Sequence, residues 1–290
     1  MDLSKILNMK QKLVKILSFF RWRIVVVRYI TLLINLKIRN LFVKPKYSNL
    51  VFRLEKFGYA QGPDMSEDVS NAILEFYKLK IECAIKIKSY QPFENIMTEE
   101  DLVESNPLIK YAFSEDVLRK AIEYYRGYIS LNAIQLLYSY PSGAELKESQ
   151  FWHKDYGDSK SLHVITYLND VLDDESGPFT FVDKIESKKI SWSPFIRRIA
   201  DDQFEKELGS NDINRFYGKK GSTLMVDSSV CYHYGSRGIK PRLAVFITFN
   251  SNMPFTPAAA FTDKYSLKIK ELGKIVRPDL NPDFFDYLIR

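Results

Sequence analysis

The feature that most constrains the fold is a series of short strand-like segments in the second half of the chain. Each segment is rich in β-branched and aromatic residues, and turn-forming sequences such as Ser176-Gly177-Pro178 separate them. Several short strands punctuated by turns are typical of an antiparallel barrel or a double-sheet jelly roll. The segments are residues 133–140, 161–171, 179–182, 222–226, 230–234 and 242–249.

Helical patterns dominate the residues that precede the strands. Apolar residues recur at helical spacing over residues 67–90 and 99–126, with a break at Asn106-Pro107. We therefore expect a mainly β protein in which helical additions precede a jelly-roll core. The expected divisions are a helical part at 47–130, a core at 131–252 with a lid-like insertion at 184–220, and a tail at 253–290.

Residues 1–46 differ from the rest of the chain in charge. They hold eleven Lys or Arg and one acid, so they carry +10 while the remaining residues carry −4. Residues 1–40 have helical periodicity, but arginines interrupt the apolar run, so neither a spanning helix nor a cleaved signal peptide fits. The pattern fits a basic amphipathic helix on a membrane surface, and equally a helix packed on the protein or a partner. Basicity confined to one end argues against a domain that binds nucleic acid.

Cysteine usage indicates the compartment. Cys83 and Cys231 are the two cysteines, and their spacing gives no disulfide framework. A reducing, intracellular compartment is the simpler interpretation. We therefore expect a cytoplasmic protein, peripheral at a membrane if residues 1–40 bind one.

His153 and Asp155 can hold a metal ion together. Residues two apart on a strand point to the same face, so an imidazole and a carboxylate can reach one ion. His233, before a later strand, can complete a triangular face of ligands. Two histidines and one carboxylate leave three open positions, the arrangement of non-haem Fe(II) oxygenases. A His-x-Asp pair alone is a weak motif, so its context matters.

Arg242 follows His233 by nine residues, across a turn that contains Gly235, Gly238 and Pro241. A hairpin of this kind puts Arg242 near His233 on the adjacent strand. An arginine near the metal can bind the distal carboxylate of a dicarboxylate in bidentate fashion. The alternative is an arginine that starts an exposed strand and pairs with a surface acid.

Between Ser149 and Ser251 the chain resembles the phytanoyl-CoA dioxygenase family of Fe(II)/2-oxoglutarate oxygenases. The matching pieces are residues 149–155, residues 164–171 with Glu175-Ser176-Gly177-Pro178, and residues 221–227 leading to His233 and Arg242. The resemblance implies a double-stranded β-helix, a cupin-like jelly roll. It also implies Fe(II) held by His153, Asp155 and His233, with 2-oxoglutarate and O2 as co-substrates and Arg242 as the anchor of 2-oxoglutarate. Family members often carry Ser or Thr two residues after the distal histidine, whereas here that residue is Gly235 and Ser236 follows it.

Five further residues are candidates for the site. Thr166 and Tyr138 lie on strands expected to flank it, and either hydroxyl could contact the co-substrate, with core packing as the alternative. Tyr156 and Asp158 follow the metal motif in a loop and could contact substrate, because loops on a rigid scaffold often carry binding groups. His163 could face the substrate or be a structural histidine at the start of a strand.

The expected function is that of an Fe(II)/2-oxoglutarate-dependent dioxygenase, a hydroxylase of unactivated C–H bonds. Its substrate would be a small molecule, or a lipid- or glycan-linked one if residues 1–40 bind a membrane. Two alternatives stay open from the sequence. One is a non-catalytic jelly-roll binding protein, and the other is a cupin-type enzyme that uses zinc or manganese.

Overall fold

The computed structural model describes residues 48–87, 91–127, 129–142, 145–190, 198–208, 212–252 and 254–289. The N-terminal segment predicted to contact a membrane therefore lies outside the described residues. Within them, no helix has the length and apolar character needed to cross a membrane. Tyr47–Arg290 forms one compact unit.

Helices occupy both ends of this unit, and polar residues cap several of their N-termini. Ser48 and Ser66 accept hydrogen bonds from the backbone N–H groups three residues later, and Asn106 caps a helix that has Pro107 at its first position. The helices are α1 (Asn49–Phe57), α2 (Glu67–Phe76), α3 (Lys78–Lys86), α4 (Pro107–Ala112), α5 (Glu115–Tyr125), α6 (Asp201–Glu207), α7 (Ala260–Lys264), α8 (Ser266–Val276) and α9 (Pro282–Leu288).

The helix predicted over residues 67–90 is divided in two. Helix α2 ends at Phe76 and α3 begins at Lys78. Tyr77 lies between them with its ring buried, and its hydroxyl accepts a hydrogen bond from Asn106 Nδ2 at 2.7 Å. This long-range contact fixes the residue at the break, which helical periodicity alone does not reveal.

The strands form two antiparallel sheets. The large sheet has the order β1-β7-β4-β9-β3-β2 and the small sheet has the order β6-β5-β8. The predicted antiparallel strands and helical additions are confirmed, but helix and sheet are mixed in this fold, so the prediction of a mainly β protein is wrong. The strands are β1 (Tyr59–Gln61), β2 (Phe93–Asn95), β3 (Ile129–Ser139), β4 (Ser161–Tyr167), β5 (Phe179–Val182), β6 (Ile213–Phe216), β7 (Thr223–Asp227), β8 (His233–Tyr234) and β9 (Arg242–Ser251).

Strand β9 lies in the middle of the large sheet and shows how its two faces differ. It pairs with β3 from Ile129↔Ser251 to Ser139↔Arg242, and with β4 over Ser161–Tyr167. Val245, Ile247 and Phe249 belong to the apolar core shared with the helices. Ala244 and Phe246 belong to a second apolar cluster that faces the small sheet. Side chains alternate in this way because successive residues of a strand point to opposite faces.

The second cluster joins the two sheets. It contains Ile165 and Tyr167 of β4 and Leu224 and Val226 of β7, packed with Phe179 and Phe181 of β5. The helices cover the other face of the large sheet, where Leu162, Val164 and Met225 join their core. The protein therefore has three layers: helices, the large sheet and the small sheet. Polar groups between the two sheets define the site described below.

The insertion at residues 184–220, predicted to be lid-like, is partly a regular element of the fold. Strand β6 within it pairs with β5 and forms one edge of the small sheet. The ring of Phe204, on α6, stacks on Trp152 with centroids 4.1 Å apart. These contacts tie two described parts of the insertion, residues 198–208 and 212–220, to the layer that carries the metal motif.

Candidate metal centre

His153 and His233 are brought together by their own backbones. The His153 N–H donates to the His233 carbonyl at 3.0 Å, and the His233 N–H donates to the His153 carbonyl at 2.9 Å. The two imidazole rings consequently lie with their centroids 4.2 Å apart. Strand β8 is held in turn by β5, through the pair Phe181↔His233. Backbone pairing therefore brings together the two histidines that the sequence predicts to lie close to one another.

Each of these imidazoles presents its Nε2 atom to the space between them. His153 Nδ1 lies 2.8 Å from the Phe151 carbonyl, and His233 Nδ1 lies 3.1 Å from the Cys231 carbonyl. A carbonyl can only accept, so Nδ1 carries the proton in both rings and Nε2 keeps its lone pair. Metal-bound histidines are commonly oriented by a carbonyl in this manner.

Asp155 completes the cluster. Its Oδ1 lies 4.0 Å from His153 Nε2, and its Oδ2 lies 4.0 Å from His233 Nε2. Ligand atoms of the three residues all lie within 4.8 Å of one another. Among the described residues this is the group of histidines and carboxylates that could hold a metal ion. Its donor set, two nitrogens and one oxygen, suits an open non-haem iron site.

The surroundings favour the protonation states that a metal requires. Burial lowers the pKa of His153, and burial with the neighbouring His153 lowers the pKa of His233 to about 3. Burial alone would raise the pKa of Asp155, but the hydrogen bond from His163 and the nearby imidazoles hold it well below its usual value. At neutral pH the cluster therefore offers two neutral imidazoles and one carboxylate.

His163 lies behind Asp155. Its Nε2 is 2.8 Å from Asp155 Oδ2, and its Nδ1 is 2.7 Å from Thr248 Oγ1. Asp155, as a carboxylate, accepts, so His163 Nε2 donates and its Nδ1 accepts from the threonine hydroxyl. The prediction of His163 as a substrate contact is therefore corrected: its two ring nitrogens are used to orient the carboxylate of the candidate metal cluster.

Arg242 is buried on the face of β9 that looks toward the small sheet. Its Nη1 donates to the Gly177 carbonyl at 2.7 Å, and its Nη2 lies 3.4 Å from Ser139 Oγ. Its Nε has no hydrogen-bond partner, and the guanidinium forms no ion pair with any described residue. Burial lowers the pKa of Arg242. A buried guanidinium without an anion is costly, so this position favours a ligand with a carboxylate.

Apolar rings lie between the metal cluster and Arg242. Phe179 stacks on His233 with ring centroids 5.4 Å apart, and Phe246 packs 6.4 Å from Phe179. Ser236, 2% exposed, places an unpartnered hydroxyl against Gly177, the residue whose carbonyl accepts from Arg242. Family members often carry a hydroxyl at the position of Gly235. In this chain the hydroxyl of the next residue, Ser236, is available instead.

Thr166 and Tyr138 do not face this space. Thr166 Oγ1 lies 2.9 Å from both the Tyr111 hydroxyl and Thr223 Oγ1, in the layer that contacts the helices. Tyr138 belongs to the helix-facing core and packs edge-on against Tyr140. Both predictions of a co-substrate contact are corrected, because strand alternation directs these side chains to the opposite face.

The two loop candidates differ from one another. Asp158 is buried, and its carboxylate accepts from the backbone N–H groups of Ser159 and Ser251 at 2.7 and 2.6 Å. It therefore anchors the loop to the end of β9 and is corrected from a substrate contact to a structural residue. Tyr156 is half-buried, and its hydroxyl has no partner among the described residues. It stays a candidate for binding substrate.

Thr248 and Ser139 belong to the site and were not predicted. Thr248 shares the face of β9 with Arg242, since the two are separated by an even number of residues. Ser139 is the register partner of Arg242 on β3. Alternation along β9 could have identified Thr248, whereas finding Ser139 requires the register between strands that are distant in sequence.

Comparisons with known proteins place this geometry in context. No protein-family model and no curated protein matches the sequence. Among solved structures, the carbocyclase SnoK, described as non-haem and α-ketoglutarate-dependent, is 13% identical with a TM-score of 0.53, over 77% of this chain and 91% of SnoK. EctD from S. alaskensis, solved with 2-oxoglutarate and 5-hydroxyectoine, is 16% identical with a TM-score of 0.51, over 76% of this chain and 86% of EctD. The epimerase SnoN, in complex with Fe3+, α-ketoglutarate and nogalamycin RO, is 13% identical with a TM-score of 0.50, over 70% and 82%.

At these identities the similarity concerns the fold. It extends over most of each neighbouring chain. The chain therefore shares the fold of solved enzymes described as dependent on 2-oxoglutarate, and it carries a His-Asp-His cluster between its two sheets.

Proposed function

We propose that the protein is an Fe(II)/2-oxoglutarate-dependent oxygenase of the phytanoyl-CoA dioxygenase type, built on a jelly-roll core. His153, Asp155 and His233 hold the iron, and Arg242 anchors 2-oxoglutarate. The observation that carries this proposal is the His-Asp-His cluster, whose ligand atoms lie within 4.8 Å of one another. The jelly roll is supported by two antiparallel sheets that pack face to face across one apolar cluster.

The residues fit both groups. Both histidines have their Nδ1 atoms against backbone carbonyls, so their Nε2 atoms are free to bind iron. The unpaired Nε of Arg242 fits the distal carboxylate of 2-oxoglutarate, and the nearby Ser236 hydroxyl can donate to the same group. A dicarboxylate with one end at iron and the other at a buried arginine satisfies both ends of the site.

When bound, iron and 2-oxoglutarate supply the oxidation of an unactivated C–H bond by dioxygen, with release of succinate and carbon dioxide. The chain positions and shields these reactants. His163 and Thr248 hold Asp155 in place, and Phe179 and Phe246 line the space with apolar rings that keep water out. Tyr156, whose buried hydroxyl has no hydrogen-bond partner among the described residues, is the proposed substrate contact.

The proposed substrate is a small molecule, and the proposed outcome is hydroxylation. Solved neighbours named with nogalamycin or 5-hydroxyectoine support a small-molecule substrate. Because two neighbours are named as an epimerase and a carbocyclase, product analysis must distinguish the gain of an oxygen atom from epimerisation or ring formation.

The test is turnover of 2-oxoglutarate. Anaerobically purified protein is mixed with Fe(II) and 2-oxoglutarate, exposed to oxygen and assayed for succinate. We expect slow succinate release without substrate, lost in Asp155→Ala and in His153→Ala. Arg242→Ala should weaken 2-oxoglutarate binding, while Arg119→Ala, whose side chain is 69% exposed, should not.

Other outcomes would select another function. Metal binding without succinate formation, together with unchanged 2-oxoglutarate binding in Arg242→Ala, would contradict the proposal and favour a binding protein. Activity that follows added zinc or manganese would favour a cupin-type enzyme.

We also propose that residues 1–40 contact a membrane surface, which would make a lipid- or glycan-linked substrate accessible. The support is the +10 charge of residues 1–46 and their amphipathic pattern. Deleting residues 1–40 should abolish co-sedimentation with anionic vesicles, and neutral vesicles serve as the control. Full-length protein that never sediments with anionic vesicles would contradict this part.

A further inference from the structure

A cavity of about 630 Å3 opens between β1, at one edge of the large sheet, and β6, at one edge of the small sheet. Residues of α1, β1, β5, β6 and the beginning of β7 line it, and we call it the edge cavity. Strand β6 forms one edge of the small sheet, whereas β8, which carries His233, forms the other. No residue of the metal cluster lines the edge cavity. Its volume lies in the range of sites that hold small organic ligands.

Arg53, on α1, points a charge toward this cavity. It is half-buried, and its guanidinium lies 5.5 Å from the ring centroid of Phe57 and 5.6 Å from that of Tyr59. It forms no ion pair with a described residue. Aromatic rings contact the face of the guanidinium and leave the N–H groups at its rim available as donors.

The other polar groups in the lining strengthen a preference for anions. Among the described residues that line it, the polar ones include Asn49, Arg53, Gln61, Asn214, Arg215, Tyr217 and Ser222, and none is Asp or Glu. Arg215 lies between Asn214 and Phe216 on β6, so its side chain points to the other face of the small sheet from Phe216, where it pairs with Asp174 at 3.2 Å. A ligand carboxylate or phosphate would thus meet the Arg53 guanidinium and neutral donors.

Aromatic side chains form the apolar part of the same cavity. Phe181 and Phe216 line it, and Tyr59 closes on Phe181 with centroids 4.8 Å apart. Phe216 is fixed from behind by stacking on Tyr167 at 4.8 Å. Rings supported in this way offer a flat surface to a ring of the ligand.

We propose that the edge cavity is a second binding site, separate from the metal centre, for an organic anion that joins a ring to a phosphate or carboxylate. The anionic group pairs with Arg53, and the ring packs on Phe181 and Phe216. This site does not depend on the proposed oxygenase function, because no metal-binding residue contributes to it.

Binding of simple aryl anions to the full-length, metal-free protein tests this site. Phenyl phosphate tests a ring with a phosphate, and phenylacetate tests a ring with a carboxylate. Benzyl alcohol tests a ring without charge, and inorganic phosphate tests the charge without a ring. By calorimetry or saturation-transfer NMR, we expect one or both aryl anions to bind at millimolar concentration or below, and more tightly than benzyl alcohol or inorganic phosphate.

Variants then locate the binding. Arg53→Gln should weaken binding of the aryl anion about tenfold or more, because a charge-assisted contact is lost. Arg53→Lys keeps the charge and should fall between Arg53→Gln and wild type. Arg119→Gln, at an exposed position of α5, and Arg242→Gln, at the metal centre, should bind like wild type.

Two results would overturn the proposal. One is the absence of binding by both aryl anions to a wild-type protein whose thermal unfolding is normal. The other is equal affinity in wild type and Arg53→Gln, or a loss of affinity in Arg242→Gln alone, which would place the anion at the metal centre.

Discussion

At the scale of single residues, His163 determines how Asp155 is presented. It donates to the Asp155 carboxylate and accepts from Thr248, so its ring is fixed at both nitrogens. A carboxylate held by such a neighbour keeps one orientation, and the loss of an outer hydrogen bond of this type commonly weakens metal binding about 10- to 100-fold.

We therefore predict that His163→Phe, which keeps a flat ring but loses both hydrogen bonds, lowers Fe(II) affinity by about 10- to 100-fold. Thr248→Val, which leaves the contact between His163 and Asp155 in place, should have a smaller effect. Anaerobic metal titration measures both variants. Wild-type affinity in His163→Phe would show that Asp155 needs no support from this ring.

The low pKa of His233 predicts how stability depends on pH in metal-free protein. Burial lowers the pKa to about 3, so below pH 6.5 the unfolded chain binds a proton that the folded protein resists. Stability therefore falls as pH falls, by roughly 2 kcal/mol between pH 6.5 and pH 5 from His233 alone. The lowered pKa of His153 acts in the same direction, while the lowered pKa of Asp155 matters only below about pH 4.

Urea unfolding in the presence of a chelator, at several pH values, measures this slope. His233→Gln cannot titrate and should flatten the curve between pH 6.5 and pH 5. An unchanged slope in that variant would assign the pH dependence to other groups.

The residues of the site differ in how far the sequence could reveal them. His153, Asp155 and His233 follow from ligand chemistry and motif spacing. Thr166 was assigned to the wrong face. It lies three residues after His163 on β4, an odd number, so the two side chains point to opposite faces of the sheet. The partnership of His163 with Asp155 depends on a loop conformation that periodicity does not encode.

At the scale of elements, the turn before β5 controls the surroundings of Arg242. Gly177 has φ of 65°, and its carbonyl accepts from Arg242 Nη1. A Cβ at this position would overlap Ser236 Oγ and lie 2.8 Å from the backbone nitrogen of Gly238. Glycine is therefore required here by the backbone conformation and by the close approach of the chain.

We predict that Gly177→Ala destabilises the protein by about 1–3 kcal/mol and weakens 2-oxoglutarate binding. Gly127→Ala is the matched control, because Gly127 also has positive φ, at 143°, but a Cβ there meets nothing within 4 Å. It should lose some stability and keep its affinity for 2-oxoglutarate. Equal affinity for 2-oxoglutarate in the two variants would show that the turn at Gly177 does not affect the binding site.

The strands between residues 133 and 249 could be located from sequence because turns and β-branched residues mark their ends. The insertion at 184–220 could not be resolved in this way. Strand β6 within it is short and polar, with Asn214 and Arg215 at its centre, and its pairing with β5 gives it its structure. Tertiary pairing rather than local preference determines such a strand.

At the scale of the whole molecule, a buried carboxylate joins the helical layer to the large sheet. Asp227, at the end of β7, accepts from the hydroxyl of Tyr124 on α5 at 2.6 Å. It also accepts from the backbone N–H groups of Ser161 and Ser229, each at 3.1 Å. The Asp227 carboxylate therefore links the end of β7 to helix α5 and to the start of β4.

We predict that Tyr124→Phe lowers the free energy of unfolding by about 1–3 kcal/mol, since it removes a buried donor to a charged group. Tyr217→Phe, at a position 43% exposed, is the control and should change stability little. Urea unfolding followed by circular dichroism measures both. Helix and sheet signals should be lost in one transition, and separate transitions would contradict the coupling of the layers.

The reciprocal backbone hydrogen bonds between His153 and His233 have a consequence for hydrogen exchange. Each amide proton is shielded by the carbonyl of the other histidine, so neither can exchange until the two segments separate. Separation of these segments is also the motion that pulls the two imidazoles apart. The exchange rates of these two amides thus measure how often the ligand set comes apart, and they can be followed in protein that contains no metal.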